Sequence, residues 1–275
     1  MSSPSFRPRA LVTGASAGIG AAYAERLARD GYDIVLVARR RDRLQALAER
    51  LRTEAAAGTE VLAADLADAG GLAEVEARVA GDPPVTLLVN NAGFGGYRPF
   101  IEVDPKVIDA LIDVHIRAVA RLSRAALPGM VRRGSGGVIN VASLLALSGG
   151  LPPNPLPHRA VYAGAKAFML TFTQVLAGEL AGTGVTVQVC LPGVVATEFH
   201  TVQGMDMSKR PRMTAEDLVA GSLAGWARGE TICIPALDDP SLMERTVAAQ
   251  SEVTRAAGSS PALAGRYRSR EGSRN

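Results

Sequence analysis

Short apolar runs of strand length alternate with longer stretches of helical period from residue 10 to residue 234. Ala10–Val12, Ile34–Val37, Val61–Ala63, Leu87–Val89, Val138–Val141, Val185–Leu191 and Ile232–Ile234 read as strands. Most are continuous apolar runs, the pattern of strands covered on both faces. Between them the period predicts helices over Ile19–Asp30, Arg41–Ala57, Val161–Leu180 and, more weakly, Leu72–Val79. Asp104 before Pro105 marks the N-cap of a long helix reaching about Ala126, and Thr214 caps another reaching about Arg228. This alternation predicts an α/β fold: a single doubly wound, seven-stranded parallel sheet with helices on both faces. Ligands of such sheets bind outside the carboxyl ends of the strands, near the switch in strand order.

The 275 residues, 47% hydrophobic, suffice for one sizeable core, and 29 glycines against 4% aromatics suit many tight turns. One domain over residues 9–255 is expected, with a flexible N-terminus at 1–8 and a disordered basic tail at 256–275, which lacks periodicity. The net charge of +3 is local. Arg255, Arg266, Arg268, Arg270 and Arg274 face only Glu271, leaving the rest near neutral. No clustered basic helix with interleaved aromatics argues for nucleic acid. Cys190 and Cys233 lie in apolar runs and are expected as free thiols of a cytoplasmic chain. They and His115, His158 and His200 show no metal-ligand spacing. Met1–Arg9 has no apolar core of a signal peptide, and no run was expected to reach the length of a membrane span.

The chemistry gathers at strand ends and on one helix. Tyr162 and Lys166 stand four apart, on one helical face. A fixed ammonium beside a phenol stabilises the phenolate and makes it a usable acid or base. After the first strand, Gly14-Ala15-Ser16-Ala17-Gly18-Ile19-Gly20 opens into a helix, where glycines admit a pyrophosphate to the amide donors of the helix N-terminus. After the second strand, Arg39 and Arg40 stand where an acid would favour NAD. A guanidinium fork there favours the 2′-phosphate of NADP, although the same arginines also suit a solvated helix start. Asp33 sits at the wrong end of its strand to serve as that acid. Later strands end in Asp65, in Asn90-Asn91-Ala92-Gly93, in Ser143, and in Pro192-Gly193 followed by Thr197.

This set, in this order over about residues 9–235, resembles the short-chain dehydrogenase/reductase family. The resemblance implies a Rossmann-type domain, a homodimer or homotetramer, and an oxidoreductase that exchanges hydride between NADP and a ketone or aldehyde and its alcohol. NADP (NADPH) is the expected cofactor, with NAD possible. By position, Gly14, Ser16, Gly18, Ile19 and Gly20 would wrap the phosphates, with Arg39 and Arg40 at the 2′-phosphate. Asp65 would meet adenine, and Asn91, Ala92 and Gly93 would line the ribose region. Pro192 and Thr197 would border the nicotinamide. Ser143 would hold the substrate oxygen, Tyr162 would exchange the proton, and Lys166 would bind the ribose hydroxyls while lowering the Tyr162 pKa.

Two features depart from the family. His115 replaces the Asn that completes the family's tetrad by holding a water. It lies on the apolar stripe Ile108, Leu111, His115, Val119, Leu122, so it is either a core histidine or a substitute water anchor that adds a titration near neutral pH. The gap from Ser143 to Tyr162 is long and holds Leu151-Pro152-Pro153-Asn154-Pro155-Leu156-Pro157-His158, a segment that cannot form a helix. It either shapes the substrate pocket or is a neutral insertion. With Phe94, Leu144, Leu145, Val194 and Phe199 it points to an apolar substrate. The alternative is a non-catalytic NADPH-binding protein, for which His115 is the one supporting feature.

Overall fold

The computed structural model describes residues 7–154, 156–207 and 209–268. Seven strands form one parallel sheet: β1 (Arg9–Thr13), β2 (Asp33–Ala38), β3 (Thr59–Ala63), β4 (Leu87–Asn90), β5 (Gly136–Val141), β6 (Val185–Cys190) and β7 (Ile232–Cys233). Their order is β3-β2-β1-β4-β5-β6-β7, and all six pairings are parallel. The chain starts beside the middle of the sheet and winds outward in both directions, so the switch falls between β1 and β4.

Helices cover both faces, which is why the strands lack polar alternation. On one face α1 (Gly18–Arg29), α2 (Arg41–Ala55) and α8 (Ala215–Ala227) place Tyr23, Leu44 and Leu218 with Val12, Ile34 and Leu36. On the other, α3 (Ala69–Ala80), α5 (Ala118–Arg133) and α6 (Ala160–Glu179) place Leu72, Leu122 and Leu176 with Leu11, Val35 and Val138. Alternate residues of β1 and β2 thus serve opposite layers. Truncating a wholly buried leucine such as Leu122 to Ala costs about 2–5 kcal/mol.

Asp104 caps α4 (Pro105–Ile112) by accepting from the Lys106 amide at 2.9 Å. The long helix expected to end near Ala126 continues through Pro128 to Arg133. The carbonyl that Pro128 deprives of a donor belongs to exposed Arg124, and Met130 beyond it anchors the last turn in the core. A π-helical turn, Asp113–Arg117, separates α4 from α5.

The chain contains two compact units, 1–235 and 236–275. The second contains α9 (Ser241–Gly258) and a 3₁₀ turn, Gly265–Tyr267. The reading from pattern missed α9, which crosses the boundary expected at 255/256, so the segment from Ala256 begins inside a helix. At the other end, Arg7 donates to the carbonyls of Gly31 and Ala56, and the Pro8 carbonyl accepts from Asp33. Those two residues are tied down; residues 1–6 and 269–275 of the expected flexible ends lie outside the described residues. The expectation about membrane length also needs correction. By length and composition alone α6 could cross a bilayer, but it is a core helix whose Ala165, Lys166, Met169 and Thr173 are buried. One face is buried with Lys166 and Thr173 in the interior, while Thr171 and Glu179 are exposed, so the helix does not present an apolar surface all round.

Candidate active site

The carboxyl ends of β1, β4, β5 and β6 converge at the switch point. Ser143 follows β5 in extended backbone and opens a 3₁₀ turn, Leu144–Leu147, accepting from the Leu145 amide at 3.1 Å. The Leu144 amide donates to the Pro192 carbonyl at 2.9 Å, which ties the β5 and β6 ends together. Tyr162 and Lys166 lie one turn apart in α6, both almost wholly buried. The ring of Tyr162 packs edge-on to Tyr97, a residue the sequence reading did not single out, and both Tyr97 and Ser143 act on its proton. Ser143, Tyr162 and Lys166 are therefore brought together as expected.

The electrostatics differ from the expectation. Burial pushes the Tyr162 pKa well up, Tyr97 pushes it further, and only Ser143 pulls it down. Lys166 does not offset this. Its ammonium lies 5.6 Å from the phenol ring centre and donates to the Val141 carbonyl at 2.9 Å. Burial lowers its own pKa to about 7, so its positive charge is itself unfavourable at this buried position. Burial also raises Tyr97, to about 12, against a smaller opposing effect of Tyr162.

His115 sits within the π-helical turn, where one extra residue per turn re-aims the side chain. Its Nε2 donates to the Phe94 carbonyl at 2.9 Å, and its ring packs edge-on to Tyr162 at 5.4 Å. Nδ1 is buried without a partner among the described residues. Burial first, and Lys166 second, hold its pKa well below the ordinary value, against the Phe94 carbonyl. The ring stays neutral through neutral pH, which corrects the expected titration there. A Cβ on Gly93 would lie 2.4 Å from His115 Cε1, so the small residue makes room for the ring. His115 fastens the loop at Phe94 beside the Tyr162 phenol.

The glycine turn closes on the same loop. Gly14 and Gly18 have φ of +67° and +55°. A Cβ on Gly20 would stand 2.3 Å from the Gly14 carbonyl, so only glycine lets α1 start this close. Asn91 donates to the Thr13 carbonyl at 2.9 Å, and the Asn91 and Ala92 amides donate to Thr13 Oγ1. Thr197 lies against Gly18 and caps the short helix α7 (Glu198–Thr201). Ile19 packs against the core beside this turn. The N-terminus of α1 has no side-chain cap and no acid in its first turn, so its amides and positive dipole end are free for an anion.

The expected 2′-phosphate residues divide. Arg40, not Arg39, reaches the turn, donating to Ser16 Oγ at 3.1 and 2.9 Å from Nε and Nη2. It also pairs with Glu198 at 2.6 Å, while Arg43 holds the other carboxylate oxygen at 2.8 Å. Arg39 points to Asp65, 3.7 Å away at the end of β3. A carboxylate already held by two guanidinium groups beside Ser16 shows that this corner accepts an anion. The residues present fit a dinucleotide with a 2′-phosphate.

Around the phenol stand Tyr97 (5.3 Å between ring centres), Phe199 of α7 (6.2 Å) and His115. Gln203 donates to the Phe199 carbonyl at 2.8 Å. The proline-rich segment is clamped by Arg159, which donates to Ser148 Oγ and to the carbonyls of Ser148, Leu151 and Pro157. Cys190 and Cys233 are free and paired in register on β6 and β7. No group of three or more His, Cys, Asp or Glu suited to a metal occurs among the described residues.

A doubly wound parallel sheet with an uncapped helix and an arginine-held anion corner at its switch point defines a dinucleotide-binding α/β protein. The profile of the short chain dehydrogenase family matches residues 8–207. This chain belongs to that family. It is 32% identical over 210 residues to the human very-long-chain 3-oxoacyl-CoA reductase, a match covering 75% of this chain and 65% of that protein. The chain thus spans slightly less than two thirds of that curated relative's length. Its fold matches a short-chain dehydrogenase from Sphingobium yanoikuyae in complex with NADPH, with a TM-score of 0.89 and 36% identity over 94% of this chain and 100% of that one. It also matches the bulky-bulky ketone specific alcohol dehydrogenase from Comamonas testosteroni, with a TM-score of 0.84 and 33% identity over 94% and 98%.

Proposed function

We propose that this chain is an NADP-dependent oxidoreductase that interconverts a bulky apolar ketone or aldehyde with its alcohol. The observation that carries this reading is the joining of Ser143, Tyr162 and Lys166 beneath an anion corner built by Ser16 and Arg40. When bound, the cofactor supplies or accepts the hydride. Ser143 and Tyr162 donate hydrogen bonds to the carbonyl oxygen, stabilising its growing negative charge, and Tyr162 gives up its proton. The raised phenol pKa keeps that proton in place until the substrate oxygen needs it. Lys166 and the ring of His115 orient the phenol from below and from the side.

Phe94, Tyr97, Leu144, Leu145, Val194 and Phe199 supply the apolar wall, and the names of the human and Comamonas relatives both refer to large carbonyl substrates. We place the protein in the cytoplasm as a homodimer or homotetramer. Ile112 and Val175, exposed on α4 and α6, are apolar surface that a second copy would cover. The non-catalytic alternative loses its one feature, because His115 is engaged in holding the Phe94 loop. The test is NADPH oxidation against a panel of bulky and small ketones, with Tyr162→Phe as control. Loss of about 100-fold or more in kcat/KM with bulky ketones is expected. Equal rates for the two proteins would refute the enzyme reading.

A further inference from the structure

Glu198 has no role in the chemistry above, yet it occupies the anion corner. It is the first residue of α7, and its two oxygens take Arg40 and Arg43 at 2.6 and 2.8 Å. Its partners lie 155 residues away for Arg43, at the start of α2, so the bridge runs from the β6 end to the β2 end across the glycine turn. The strap lies close to that turn: the Cβ that Gly18 lacks would touch Thr197 at 3.0 Å. One residue beyond Glu198, Phe199 packs against the catalytic phenol, and Gln203 holds Phe199 in turn. The same short helix therefore touches the cofactor's phosphate corner with one residue and the reacting phenol with the next.

We propose that Glu198 tunes the choice of cofactor by acting as an internal rival of the 2′-phosphate. In the free protein its carboxylate holds Arg40 and Arg43. A 2′-phosphate, with a charge of about −1.5 to −2 and more acceptor oxygens, takes the same guanidinium groups and displaces it. Released, α7 lifts Phe199 from Tyr162 and admits the substrate. A cofactor without the 2′-phosphate leaves the strap in place. NADP thus opens the substrate side and NAD does not. The carboxylate is ionised at neutral pH, since Arg43 and Arg40 hold its pKa below the ordinary range. Both pairs are part-exposed, with Glu198 37% accessible, so the rivalry is modest and the phosphate wins it.

This inference rests on the NADP reading, and the experiment separates the two. Calorimetric titrations of wild type and Glu198→Gln with 2′,5′-ADP and with 5′-AMP isolate the phosphate corner from the nicotinamide. The variant is expected to bind 2′,5′-ADP roughly five- to tenfold more tightly, with 5′-AMP unchanged. In wild type, 2′,5′-ADP but not 5′-AMP is expected to speed hydrogen exchange of the amides of residues 199–204. In the variant those amides exchange fast without ligand. Equal or weaker 2′,5′-ADP binding by the variant, or exchange indifferent to 2′,5′-ADP, overturns the rivalry while leaving NADP preference intact. A wild type that does not prefer 2′,5′-ADP to 5′-AMP overturns both.

Discussion

Replacing Lys166 by Met should stabilise the protein while abolishing its activity. Lys166 is 3% exposed, and burial alone lowers its pKa from the ordinary 10.5 to about 7. At 1.36 kcal/mol per pH unit, that gap corresponds to about 5 kcal/mol of unfavourable burial of the ammonium. The full cost applies below pH 7, where both folded and unfolded chains carry the charge. Above pH 7 the folded chain releases the proton first and binds fewer protons than the unfolded chain, so wild-type stability rises with pH up to about 10.5. Met fills nearly the same volume without charge, but leaves the Val141 carbonyl without its donor, which costs about 1–3 kcal/mol. The expected margin is thus about 3 kcal/mol in favour of the variant at pH 6, shrinking by roughly 2 kcal/mol between pH 7 and pH 9. Urea unfolding of both proteins at matched concentrations from pH 6 to pH 9 measures it, with the slope read above pH 7, where His115, whose pKa Lys166 also lowers, is neutral in both proteins. A margin that does not change with pH would refute the argument that Lys166 is held against its charge.

Four further outcomes follow from the same elements. His115→Asn should leave the shape of the pH–rate profile between pH 6 and 8 unchanged, because the ring is already neutral. It should also flatten the loss of stability below pH 6.5, where wild type must resist protonating a buried imidazole. Tyr97→Phe removes a neighbour that raises the Tyr162 pKa, so the limb of kcat/KM governed by that phenol should move to lower pH; a stationary limb would show the contact to be inert. Gly20→Ala drives a Cβ to 2.3 Å from the Gly14 carbonyl and should cost about 1–3 kcal/mol and weaken NADPH binding roughly tenfold or more. Gly164→Ala, with nothing within 4 Å in the interior of α6, should instead stabilise by about 0.5–1 kcal/mol, read by thermal unfolding.

Strand-length apolar runs were legible because both sheet faces are covered, so β1, β2, β4 and β5 carry no competing polar signal. The site residues were legible where chemistry sits at a strand's carboxyl end, as with Ser143, or at fixed helical spacing, as with Tyr162 and Lys166. What escaped depends on contacts that no local pattern encodes. The π-helical turn at His115 is a change of hydrogen-bond register inside an unbroken apolar stripe. Tyr97 meets Tyr162 through a loop packed so closely that a Cβ on Gly95 would strike Gln203 and the Tyr97 ring. That Arg40 rather than Arg39 faces Ser16 depends on where β2 ends and α2 begins, a boundary pattern reading locates only to within a residue or two. The burial cost on Lys166 was not legible for a related reason: spacing gives adjacency, while the sign and size of a pKa shift depend on burial.

The Arg159 clamp separates two kinds of change. One guanidinium grips the proline-rich segment at its entry, at Ser148 and Leu151, and at its exit, at Pro157. Arg159 is also the N-cap residue of α6, so the stretch between the grips hangs from the start of the helix that bears Tyr162. Mutations there can accumulate, and whole segments can be exchanged, so long as the Arg159 grips are kept. The loop therefore behaves as a replaceable cassette, whose length and sequence can be rewritten while its two attachment points stay fixed.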